Sequence, residues 1–211
     1  MDAESASVLL HWLPLGAGGH VVAFNGRVYE AIEARLQHRR PAPLFHAALS
    51  VNLRGDTYVI EMGPIWGNLP GDRGVVVEGP VGMRLLGRSR LFRYEVRAWR
   101  GGVIDDLAYA VGEPTIMSRD PARAADVLAL VRRVPPLTWG RDELGAGEMW
   151  NSNSMVALLL AGTGHDLRTV VPPGGGRAPG WRSGIELAAR SGSRTGARSL
   201  PAEDSGGIGS R

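Results

Sequence analysis

Residues 45–62 read FHAALSVNLRGDTYVIEM: two apolar-rich runs, 45–51 and 57–62, set around the polar stretch Asn52-Leu53-Arg54-Gly55-Asp56. β-Branched and aromatic residues on both sides of a short turn-forming stretch are the pattern of an antiparallel hairpin, and a hairpin here commits the chain to an antiparallel sheet. Register follows from loop length. A two-residue loop at Arg54-Gly55 pairs Leu53 with Asp56, a four-residue loop pairs Asn52 with Thr57, and both set Ala48 opposite Glu61. His46 and Glu61 then share a face as diagonal neighbours, within reach of long side chains. A three-residue loop would place them on opposite faces.

Working outward, residues 20–24 (HVVAF) read as a short strand closed by the turn pair Asn25-Gly26. Val28, Tyr29, Ile32 and Leu36 then recur at helical spacing, and that run ends in His38-Arg39-Arg40-Pro41, cations and a breaker where a helix C-terminus wants them. Downstream, 75–78 and 91–99 read as strands. In the second, Phe92, Tyr94, Val96 and Ala98 alternate with Arg93, Glu95 and Arg97, which predicts one packed face and one wet face. Asp120-Pro121 supplies an N-cap and a first-position proline for a helix whose buried stripe is Val127, Leu128, Val131 and Val134, stopped by Pro135-Pro136. A Gly-rich connection over 140–147 leads to a further helix after Asn151. Residues 170–180 read as an irregular loop and 181–189 as a short helix. Residues 191–211 are rich in Ser, Gly and Arg and poor in large apolar residues, as in a disordered tail. The expectation is one α+β domain over 1–190, an antiparallel sheet packed against a few helices.

With 211 residues and 44% hydrophobic content, the chain can bury a sizeable core. It contains no cysteine, which removes disulfides, thiolate metal sites and cysteine nucleophiles. Its 24 basic residues are all Arg, set against 21 acidic ones for a net charge of +3. They are scattered as singles and pairs without an aromatic ladder, so no nucleic-acid partner is expected. The five histidines never form a close pair at ligand spacing, and neither glycine cluster (16–19 or 174–176) has the context of a phosphate loop. No metal and no cofactor is expected. Asp2 and Glu4 stand where a secretory signal would carry positive charge, and the apolar runs fall short of the roughly 20 residues of a membrane span. A soluble cytoplasmic protein is the expectation.

The chemistry is concentrated in residues 149–161, MWNSNSMVALLLA, a polar knot opening an apolar helix. A helix N-terminus has unpaired N–H groups and the positive end of the dipole, which favour developing negative charge beside the Ser152 hydroxyl. Asn and Ser are also the preferred capping residues, so the same letters read as a plain helix start. Five of the six tryptophans, at 66, 99, 139, 150 and 181, suit either a cleft or the core.

The order of these parts resembles the circularly permuted papain-like families, relatives of the NlpC-type peptidases and of lecithin–retinol acyltransferase-like proteins. In those families a His on one strand and a polar residue on the next precede an Asn-Cys-Asn-like motif that opens a helix. His46 in LFHAALSV, Glu61 in YVIEMGP and Ser152 in WNSNSMVALLL occupy the matching positions, over roughly residues 18–190. The chain also resembles a group of bacterial proteins with an Asn-Ser-Asn-Ser/Thr motif and a later Pro-Pro-Gly-rich loop. Serine stands where the family has cysteine, and a hydroxyl must lose its proton to a base during attack. The resemblance therefore implies Ser152 as nucleophile, His46 as general base, Glu61 as the group orienting the imidazole, and the Ser152 N–H in an oxyanion hole. Asn151 and Asn153 would support the site, and Ser154 is the alternative hydroxyl. The implied activity is a hydrolase or acyltransferase acting on an amide or ester of a small-molecule or peptide substrate. The competing reading is a pseudoenzyme that binds a peptide, cell-wall fragment or acyl group in the old cleft. A structural or interaction protein is the third.

Overall fold

The computed structural model describes residues 6–16, 30, 33–36, 38–65, 74–102, 104 and 107–197, with side chains up to 193. Strands β1 (Ser7–Pro14), β2 (Phe45–Leu53), β3 (Asp56–Pro64), β4 (Val75–Pro80), β5 (Arg93–Arg100) and β6 (Thr115–Ser118) form one sheet in the order β4-β5-β3-β2-β1-β6. Every neighbouring pair in it is antiparallel. The hairpin is seated by the shortest loop available. Leu53 pairs with Asp56, and both Arg54 (φ 54°) and Gly55 (φ 78°) are left-handed, the turn whose twist matches that of the flanking strands.

Alternation along β2 divides the molecule into two faces. Phe45, Ala47, Leu49 and Val51 join Val8, Leu10 and Trp12 of β1 and Ile60 and Met62 of β3 in the main core. Ala48 lies on the opposite face with Leu13, Val59 and Ile104. Helices α1 (Pro121–Val131) and α2 (Ser152–Gly162) pack on the main-core face, and α3 (Trp181–Ala197) packs on α2. α1 begins as its sequence dictates: the Asp120 carboxylate accepts from Ala122 N at 2.9 Å, and Ala124, Val127 and Val131 are buried. α2 is apolar on all sides and is buried continuously from Ser152 to Leu160 between the sheet and α3. Two glycines permit this closeness. A Cβ on Gly184 of α3 would stand 2.0 Å from Ser154 O of α2, and one on Gly180, itself at φ +91°, would stand 2.4 Å from Asn151 Oδ1.

Several expectations change. Leu91 and Phe92, expected in the strand over 91–99 with Phe92 on its packed face, are exposed in a 3-10 turn, and β5 begins at Arg93. The charged face of β5 is not wet, since Glu95 and Arg97 are only 4% and 8% exposed. Leu36 is 69% exposed, whereas Glu30 and Ala34 take the buried side of their helical segment. The helix at Trp181 continues to Ala197, so residues 191–197 belong to it rather than to a tail. β1 and β6, which carry no clear period-2 signal, are added to the sheet; β1 is buried on both faces and so lacks the alternation that marks a half-exposed strand. The segment 20–24, its Asn25-Gly26 turn, Trp66 and residues 198–211 lie outside the described residues. Among the described residues no helix is long and apolar enough to cross a membrane.

Candidate functional site

The Asn-Ser-Asn-Ser knot opens α2, and most of its polar atoms are occupied. Asn151 is the N-cap, in extended conformation, and its Oδ1 accepts from Asn153 N at 2.9 Å and Ser154 N at 3.2 Å. Ser154 Oγ in return accepts from Asn151 N at 3.1 Å, so a serine does the work that Glu or Gln does in the usual capping box. The same hydroxyl donates to Gly180 O at 2.8 Å. Asn151 Nδ2 donates to Pro179 O at 2.8 Å, and Asn153 Nδ2 donates to Pro179 O at 2.9 Å and to Phe45 O at 3.0 Å. Asn153 Oδ1 accepts from Ala47 N at 2.8 Å.

The two bonds to Phe45 and Ala47 have a topological cause. The β2–β3 ladder ends at Leu49 paired with Ile60, which leaves the first residues of β2 without a strand on that side. Arg177 O accepts from Phe45 N at 2.8 Å, and the Asn153 amide offers the neighbouring main chain one donor and one acceptor, as a strand would. Glu148 completes the stitching. Its carboxylate accepts from Arg182 N at 3.0 Å at the start of α3, while its carbonyl accepts from Ser183 Oγ at 2.5 Å.

Ser152 is the exception in the knot. It is 5% exposed, at the first position of α2, and neither its hydroxyl nor its N–H makes a hydrogen bond among the described residues. His46 sits between Phe45 and Ala47, paired with Leu13 of β1, so alternation turns its ring to the face of Ala48 and away from the apolar contacts of α2. Burial pushes its imidazole down to about 4, leaving it neutral at pH 7. No hydrogen bond joins His46 to Ser152 or to Glu61 among the described residues.

Glu61 does share the face of His46, as the two-residue hairpin loop requires. Its carboxylate accepts from Arg97 Nη1 at 2.8 Å, across the β3–β5 pair in which Glu61 faces Arg97. Arg97 Nε donates to Glu95 at 2.5 Å, which gives a buried carboxylate–guanidinium–carboxylate group. On the same face, the His11 ring lies 3.0 Å from Ser50 Oγ, and burial lowers its pKa.

The structure thus brings Asn151, Asn153 and Ser154 into one network with the 179–180 turn, and brings His46 and Glu61 onto one face of the sheet, with Ser152 on a helix that packs against the other face. The partners Pro179, Gly180, Glu95 and Arg97 carry no local signal of these roles, because each is chosen by a segment distant in the chain. A surface recess of about 450 Å³ lies elsewhere, lined by Gly82, Met83, Arg84, Thr138, Arg141, Asp142 and Glu143. Trp150 is buried in the core, and Trp181 rests on Trp12 with ring centroids 5.2 Å apart. Among the described residues no three His, Asp or Glu side chains are grouped to hold a metal ion. Comparison with protein-family models, with curated proteins and with solved structures gave no match to this chain.

Proposed function

We infer that this chain acts by binding rather than by turnover, as a non-catalytic domain of permuted papain-like organisation with its asparagine knot turned to structural use. The observation that carries this reading is that the supporting side chains and the nominated orienting acid are bonded elsewhere, while the nominated base does not reach the nucleophile. Asn151, Asn153 and Ser154 hold the 179–180 turn and the start of β2, Glu61 is bound to Arg97, and His46 makes no hydrogen bond to Ser152. A working Ser–His pair needs a hydrogen bond, or one bridging water, between base and nucleophile. The papain-like resemblance supports a peptide, cell-wall fragment or acyl group as the ligand class.

A second reading, hydrolase or acyltransferase, has two observations in its favour: Ser152 keeps both hydroxyl and N–H uncommitted at a helix N-terminus, and His46 is neutral at pH 7, the form a general base requires. A serine-directed fluorophosphonate probe separates the two. Binding without turnover gives no labelling of the wild type or of Ser152→Ala. Labelling of the wild type that is lost in both Ser152→Ala and His46→Gln would overturn it and restore the Ser152 nucleophile.

A further inference from the structure

The connection between β4 and β5, residues 81–92, is a closed, ordered loop at the tip of a hairpin whose β4 is an edge strand. Val81 N donates to Phe92 O at 2.8 Å and shuts it at the base. Within it, Leu86 N, Ser89 N and Phe92 N donate to the carbonyls of Met83, Leu86 and Ser89, building the 3-10 turns Arg84–Arg88 and Arg90–Phe92. A compact loop of this kind usually packs its own side chains. Here neither turn buries any residue. Leu85 and Leu91 are 64% and 67% exposed, and Met83, Leu86 and Phe92 are exposed as well.

One exposed apolar residue needs no explanation, but this many on one hairpin tip form a patch. Within the loop the charged residues are all of one sign, while Asp142 and Glu143 lie beside it at Gly82, Met83 and Arg84. Arg84, Arg88 and Arg90 are interleaved with the apolar residues, and 81–92 contains no Asp or Glu. From outside the loop the Glu143 carboxylate accepts from Arg84 Nε at 3.1 Å and from Arg84 Nη2 at 3.0 Å. Large apolar side chains alternating with guanidiniums match an anionic lipid surface, where the acyl boundary takes up Leu and Phe and the phosphates accept forked N–H donors. A second copy of this chain would bring another cationic loop and lacks that complementarity.

We propose that residues 81–92 form a membrane-docking loop that seats Leu85, Leu86, Leu91 and Phe92 at the surface of an anionic phospholipid bilayer, with Arg88 on the phosphates. The attachment is peripheral and does not depend on the function assigned to the α2 site.

The test is co-sedimentation of the full chain with vesicles of phosphatidylcholine plus phosphatidylglycerol, and with phosphatidylcholine alone. The expected result is binding to the anionic vesicles that weakens with added salt, is roughly 5-fold weaker for Arg88→Gln, and is lost for Leu85→Asp/Leu91→Asp. Both variants change exposed residues and keep the wild-type melting temperature; if the aspartate pair unfolds, Leu85→Gln/Leu91→Gln replaces it. No binding to anionic vesicles overturns the proposal, as does binding that neither variant weakens. A dimer in solution that Leu85→Asp/Leu91→Asp dissociates, in a chain that leaves vesicles unbound, overturns it in favour of self-association.

Discussion

At the residue scale, two neighbours in one motif have opposite expected costs. Asn153 satisfies Phe45 O, Ala47 N and Pro179 O with a single amide, so Asn153→Ala strips partners from buried main-chain groups. The expected loss is about 2–4 kcal/mol, read from urea unfolding, because each orphaned buried polar group costs about 1–3 kcal/mol. Ser152→Ala removes a hydroxyl that bonds nothing among the described residues, and its expected cost is within about 0.5 kcal/mol. Equal costs would remove the structural assignment of Asn153. His46 supplies a pH signature. Its imidazole titrates near 4 when folded and near 6.5 when unfolded, so between those values the unfolded chain binds more protons and stability falls as pH falls. The expected loss across that window approaches about 3 kcal/mol, and His46→Gln flattens that part of a pH series of unfolding curves. His11 and His165, also lowered by burial, add slope of the same sign and remain in the variant.

At the element scale, the hairpin shows how far local chemistry reaches. Arg54 is held at φ 54°, where a residue with a Cβ is strained and Asn is tolerated, so Arg54→Asn raises the melting temperature by the equivalent of about 0.5–1 kcal/mol. A drop in melting temperature would mean that the Arg54 side chain contributes something its turn geometry does not reveal. Helix packing makes the opposite demand at Gly184, whose added Cβ would stand 2.0 Å from Ser154 O. Gly184→Ala therefore costs about 1–3 kcal/mol or more in chemical denaturation, despite the better helix propensity of Ala. The β2–β3 hairpin, α1 with its Asp120-Pro121 start, and the cap of α2 were legible in the sequence because each is specified by residues a few positions apart. β1 was not: its two buried faces erase the alternation that marks a strand. The charged face of β5 misled for the same kind of reason, since alternation distinguishes two faces without saying what covers the polar one.

At the scale of the whole molecule, the buried Glu61–Arg97–Glu95 group joins β3 to β5 on the face away from the main helices. Arg97→Met takes a guanidinium bond from each of two largely buried carboxylates, so it costs about 3–5 kcal/mol in equilibrium unfolding, far above the range of an exposed ion pair. A cost below about 1 kcal/mol would mean that water reaches the group. By itself the sequence determined the antiparallel α+β class, the hairpin that set the sheet's direction, and the helix that starts at the asparagine knot, because all of these follow from side-chain period, turn chemistry and capping. Only the tertiary structure decided which hairpin loop length puts His46 and Glu61 on one face, and what the knot bonds to. The bonds from Asn151, Asn153 and Ser154 end on Phe45, Ala47, Pro179 and Gly180, and no local pattern encodes partners that chain folding brings together from so far apart.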